Sequence, residues 1–298
     1  MTAHLTRVRA RLRIHSHRKV RGLLDGEYSS LQPGRSTEFN DLRAYVRGDD
    51  VKDMDWKASA RARTPLVRRY AAIRKLTVLL VVSTGRSMAA LNDLHVPKRD
   101  LALTVAGVVG DLAIRHGDLV GVAHGDAAAQ HQFPAAGGAV RLERALASIH
   151  DAITLDAAST DLTALLRYVA RTVRRRAVVV VVCDEIRLDE EAASALRRLH
   201  AQHEVLLVTI GDLDPTLDRE TGRGARVRDA DSGRPLPAWV RGDTLLAQQF
   251  AEQVALDALE LRARVDSLGI VHEHVHDHGS AVGAVLRLLT RHRRARRR

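Results

Sequence analysis

The sequence predicts an α/β chain built on an open, mostly parallel sheet with helices on both faces, a three-layer arrangement. Two observations carry this expectation. Residues 76–82 (LTVLLVV) and 177–183 (AVVVVVC) are continuous apolar runs rich in β-branched residues, the pattern of strands buried on both faces. Segments of helical length separate the strand-like runs, so strands alternate with helices along the chain.

Taken in order, residues 5–24 place Leu5, Val8, Leu12, Val20, Leu23 and Leu24 among arginines in one helical stripe. Residues 1–24 are therefore expected as a basic N-terminal helix. Residues 25–72 lack a clean period and are expected as an irregular segment packed on the sheet domain, which occupies 73–290. Within that domain 76–82 is the first strand. A helix over 98–116 is ended by Gly117. A second strand follows at 119–123, and 130–138 reads as an edge strand running into a Gly-Gly loop. Helices are expected over 140–149 and 161–175, the second capped by Ser159 or Thr160. The strongest strand, 177–183, is followed by a helix over 189–200 and a strand over 205–210. The Pro- and Gly-rich stretch 214–241 reads as a hairpin insertion turning at Asp231-Ser232-Gly233. A long helix over 243–268 stops at Gly269, a last strand covers 270–274, and a helix over 280–292 runs into an Arg-rich tail, 291–298.

The bulk numbers limit the function. Aromatics are only 3%, so the core is built from Ala, Val and Leu. The single Cys183 excludes an internal disulfide and a Cys-based zinc site. The net charge of +11 is concentrated in residues 1–22 and 291–298, and the chain between them is close to neutral. Basic ends of this kind are either solvated or seek acidic proteins, nucleic acid or anionic lipid. No run approaches the ~20 apolar residues of a membrane span, and a cytoplasmic location is expected. No P-loop pattern and no Ser-His-Asp or Cys-His grouping is visible. The chain is therefore expected not to be an enzyme.

Residues 34–70 (GRSTEFNDLRAYVRGDDVKDMDWKASARARTPLVRRY) are the most distinctive stretch. Gly34, Glu38, Phe39, Leu42, Arg43, Tyr45, Gly48, Asp49, Asp50, Asp55, Trp56, Ala60, Arg61 and Arg68 match a signature, and on them the chain resembles the domain-of-unknown-function-58 family. Ser36 and Lys52 depart from it, standing where the pattern often has Gly and Arg. The resemblance implies a von Willebrand factor A-like, Rossmann-type domain after the signature, in a short form without transmembrane helices. It also implies a partnership with MoxR-type AAA ATPases, beside which members are often encoded. The carboxylates of this stretch are expected to latch onto its arginines. Asp55→Ala or Trp56→Ala is then expected to loosen the segment from the sheet domain.

In such a sheet ligands sit at the carboxyl ends of the strands, which selects the loops after Val82 and Cys183. The resemblance places a metal-ion-dependent adhesion site there and maps its ligands onto Ser83, Gly85, Ser87, Thr160 (with Asp161 beside it) and Asp184. Ser83 stands where a carboxylate is needed, and Gly85 supplies no oxygen. A magnesium ion wants an oxygen octahedron with at least one carboxylate. The site is therefore expected to be degenerate. No cofactor is expected, or at most weak magnesium at Ser87 and Asp184. Restoring Ser83→Asp with Gly85→Ser is expected to strengthen the site. The tract His272-Glu273-His274-Val275-His276-Asp277-His278 reads as a polar strand end, since alternate residues on a strand lie about 7 Å apart.

The expected function is a non-catalytic protein-interaction module, an adaptor or assembly factor working with a MoxR-type ATPase. Association with nucleic acid or anionic membrane through the Arg-rich ends is the alternative. It lacks the interleaved aromatics that support stacking on single strands.

Overall fold

A computed structural model describes residues 3–15, 18–29, 41–69, 75–185, 188–216, 227–240 and 242–295. Six strands form the main sheet, in chain order β3 (Thr77–Ser83), β4 (Leu119–Gly125), β5 (Gln130–Ala136), β6 (Val178–Asp184), β7 (Glu204–Ile210) and β8 (Val271–Val275). Their spatial order is β5-β4-β3-β6-β7-β8, and every neighbouring pair is parallel except β4 with β5. The antiparallel strand is the edge strand read from sequence. It carries Pro134, which an edge tolerates because no ladder N–H is needed there.

The side chains of the central strands alternate between two cores, as the pleat requires. Val78, Leu80, Val82, Val180, Val182, Leu206 and Val208 belong to one core. Leu79, Val81, Val179, Val181, Cys183, Val205 and Leu207 belong to the other. Helices α6 (Leu162–Thr172), α7 (Glu190–Gln202) and the last turns of α8 (Thr244–Ser267) cover the second face. The first face is covered by α4 (Lys98–Arg115), α5 (Ala139–Ala152) and α9 (His278–Ala295), joined by two helices from the N-terminus.

Those N-terminal helices are the main departure from expectation. Residues 1–24 are not one helix apart from the domain. They contribute α1 (Ala3–His15) and most of α2 (Arg18–Ser29), and both lie in the first core. Leu5, Val8, Leu12, Leu24 and Tyr28 are all buried. The docking is specific. The amides of His4 and Leu5, at the N-terminus of α1, donate to the two oxygens of Glu143 on α5, at 2.8 and 2.7 Å. A carboxylate there satisfies N–H groups that have no partner inside the helix. Val8 sits against Gly107 of α4, where a Cβ would come within 2.6 Å of Val8 Cγ2. The Tyr28 hydroxyl donates to Asp118, whose other oxygen accepts from the amide of Leu76.

The described part of the Arg-rich end, 291–295, is likewise part of the fold. Helix α9 extends to Ala295, with Arg291 paired to Glu273 and Arg293 paired to Glu27 of α2. Basic residues at a helix C-terminus also complement its dipole.

Within 41–69 the chain is more regular than its sequence suggested. β1 (Asp41–Ala44) pairs antiparallel with β2 (Leu66–Arg69), and α3 (Trp56–Ala62) lies between them. Arg43 holds Asp49 through two hydrogen bonds of 2.8 and 2.6 Å, and this pairing together with the Val46 amide keeps the Asp49 carboxyl below its ordinary range. Asp50 and Asp55 serve as caps, accepting from the amides of Lys52 and Ala58. Among the described residues the expected latch of carboxylates on arginines is the Arg43–Asp49 ion pair, with Asp50 and Asp55 acting as caps. Trp56 is 65% exposed and is not an anchor of this segment on the sheet domain. Gly34, Glu38 and Phe39 lie outside the described residues, as does the side chain of Arg68. In the 214–241 region, Arg228 bridges Pro235 around the turn at Asp231-Ser232-Gly233, and 217–226 lie outside the described residues.

Candidate functional site at the strand-order switch point

Strand order reverses between β3 and β6, since β3 connects outward to β4 and β6 connects outward to β7. The loops leaving neighbouring strands diverge there and open a crevice at their carboxyl ends. Ser83, Thr84, Gly85 and a 3-10 turn (Arg86–Ala89) leave β3, while Asp184 and Glu185 leave β6.

The structure brings Ser87, Thr160 and Asp184 together. Ser87 Oγ lies 2.8 Å from Thr160 Oγ1, with either hydroxyl able to donate, and Ser87 helps to lower the Asp184 carboxyl against its burial. Asp161 turns to a different task and caps α6 through the amide of Ala164. Ser83 Oγ is buried without a hydrogen-bond partner among the described residues.

Gly85 is fixed by sterics. A Cβ at this position would lie 2.3 Å from Thr160 Oγ1 and 2.5 Å from its amide nitrogen. The amide of Arg86 donates to the Ala158 carbonyl, which holds the two loops at that spacing. The expectation that Gly85→Ser helps rebuild a metal site is therefore corrected, because the added side chain has no room.

The residue that organises the site was missed in the sequence. Lys98, the first residue of α4, is completely buried. Its Nζ lies 2.8 Å from Asp184 Oδ1 and 2.7 Å from Asp212 Oδ1. The loop leading to Lys98 is set by Asn92, whose side-chain oxygen accepts from the amides of Leu94 and Val96 and whose nitrogen donates to the His276 carbonyl. Burial works against the Lys98 charge, but the two carboxylates outweigh it and raise its pKa above the ordinary value. Burial raises the Asp184 carboxyl, with Lys98 opposing and Asp212 adding. The two directions agree, because a buried group of two carboxylates and one ammonium retains its protons. Glu185 is raised as well, again first by burial.

Two signals in the sequence pointed here. A lysine in the first turn of a helix is set against the helix dipole, so it needs another reason to be there. Asp212 follows β7 by two residues, at the same carboxyl edge as the two loops chosen from sequence.

The donor set does not fit a divalent cation. The position that would carry a carboxylate holds Ser83, Gly85 cannot carry an oxygen, and the remaining carboxylates are engaged by an ammonium. At the neighbouring strand end, Thr209 Oγ1 lies 2.8 Å from both His272 Nε2 and His274 Nδ1. No group of three or more metal-ligating side chains with metal-site geometry occurs among the described residues, here or elsewhere. No described helix is long and apolar enough to cross a membrane.

The family profile described as "Protein of unknown function DUF58" matches residues 41–257. Uncharacterized proteins of Mycobacterium bovis and Mycobacterium tuberculosis are 31% identical to this chain over 217 residues, which is 72% of this chain and 67% of theirs.

Proposed function

The chain belongs to the family of proteins of unknown function DUF58, and from that premise we propose that it is a non-catalytic protein-interaction module whose switch-point site works without a metal ion. The observation that carries this reading is the buried Lys98 ammonium held between Asp184 and Asp212. In a von Willebrand factor A-like domain of the metal-dependent kind, a divalent ion at the switch point bridges to an acidic group on the partner. Here a side-chain ammonium takes the cation's place and is sealed from solvent, so recognition falls to the surrounding loops. The partner class is a MoxR-type AAA ATPase, for which this chain acts as adaptor or assembly factor in the cytoplasm.

The test is direct. Calorimetric titration of magnesium or manganese into the purified chain is expected to show no saturable binding at millimolar metal. Capture of the ATPase partner from native cells is expected to be the same in chelator as in magnesium. A stoichiometric micromolar metal site, or capture that collapses in chelator, would overturn the reading. The polyanion alternative is weakened by the fold. Arg9, Arg291 and Arg293 are engaged by Asp111, Glu273 and Glu27, which leaves less free charge at the ends than their composition implies.

A further inference from the structure

Helix α8 is apolar on two opposite faces. Leu246, Phe250, Leu261 and Val265 lie on the face turned toward the domain, where Leu261 and Val265 are buried. At 3.6 residues per turn Leu245, Leu256 and Leu259 fall on the other side, with Glu252 among them. These leucines are 65, 60 and 66% exposed. Leucines exposed together on the side of a helix away from its own core mark a contact face. The family match reaches residue 257 and so includes the outer turns of α8, whose residues contribute nothing to the core. Residues 242–261 hold Asp243, Glu252, Asp257 and Glu260 but no Lys or Arg.

Segment 41–69 has the complementary character. A shallow groove there is lined by Met54, Trp56, Ser59, Ala60, Arg63 and Pro65. Lys57, Arg61 and Arg63 are exposed beside it, and the segment has eight Lys and Arg against five Asp.

We propose that the outer face of α8 docks in the Trp56 groove of a second copy of this chain. Leu256 and Leu259 pack beside Trp56, and Glu252 and Glu260 meet Lys57, Arg61 and Arg63. The occupant is a second copy because one chain carries both the acidic apolar face and the basic apolar groove. A two-fold arrangement then covers both in each subunit through two identical contacts. This inference does not rest on the metal-free reading of the switch point, and either can fail alone.

Sedimentation of the full chain at micromolar concentration tests it. The expected species is a dimer that weakens with added salt. Leu256→Lys with Leu259→Lys, and separately Trp56→Ala with Arg61→Glu, are each expected to raise the dimer dissociation constant at least about tenfold, a loss of about 1.4 kcal/mol. All four positions are exposed, so circular dichroism and melting are expected to stay unchanged. Mixing the two double variants is expected to recover a heterodimer, because one of the two contacts is then intact. A wild-type monomer, a dimer indifferent to either double variant, or mixtures that fail to pair would overturn the proposal.

Discussion

At the residue scale, Lys98 and Gly85 decide what the switch-point site is. Removing the ammonium takes from two carboxylates, one of them buried, the cation that the described residues place between them. Lys98→Met is therefore expected to lower unfolding stability by about 3–5 kcal/mol, read from the denaturant midpoint. Gly85→Ser is expected to cost about 1–3 kcal/mol, because Thr160 leaves no space for its Cβ. An unchanged melting temperature for Gly85→Ser would show that the two loops are not pressed together. The strand pattern selected the loops after β3 and β6, and the family resemblance named Ser87, Thr160 and Asp184. Lys98 was not legible in the same way. It lies 14 residues beyond the end of β3's loop residue Thr84, and only the path of the chain through Asn92 returns it to the crevice.

At the scale of elements, the strands and most helices were readable because their patterns are strong and local. β3, β6 and β7 are nearly unbroken runs of Val, Leu and Ile, and α4 begins and ends within a residue of its sequence bounds. The docking of α1 was not readable, since it depends on Glu143 and Gly107, more than a hundred and about a hundred residues away. The stripe of Leu5, Val8 and Leu12 was visible in the sequence, but the surface it covers was not. Glu143→Gln is expected to weaken the cap of α1 by about 1 kcal/mol, and Gly107→Ala to push Val8 outward. Hydrogen exchange of the α1 amides should rise in both variants while β6 stays protected. Equal protection of α1 in wild type and variants would contradict this account of how the helix is held.

At the scale of the whole molecule, a buried His124 and a half-buried His274 tie stability to acid. Burial, first among the causes, holds His124 and His274 at about 4, with neighbouring histidines adding to the effect. An unfolded histidine titrates near 6.5, so the folded state binds fewer protons than the unfolded state between those values. The stability from each group is complete above pH ~6.5 and is lost as pH falls toward 4, by up to about 3 kcal/mol each. Melting temperature is expected to fall across that window. His124→Gln, which can keep the contact to Ser148, is expected to remove part of the slope. A melting temperature that does not change between pH 7 and pH ~4.5 would contradict it.

The switch point lies at the carboxyl edge of the sheet, with a lysine of α4 where strand order reverses. A double-mutant cycle on Lys98→Met and Asp184→Asn, read by equilibrium unfolding, tests that arrangement most directly. The two substitutions are expected to be coupled by about 2–3 kcal/mol, the double variant being far less damaged than the sum of the singles. Strictly additive losses would mean that the ammonium and the carboxylate do not meet in the folded chain.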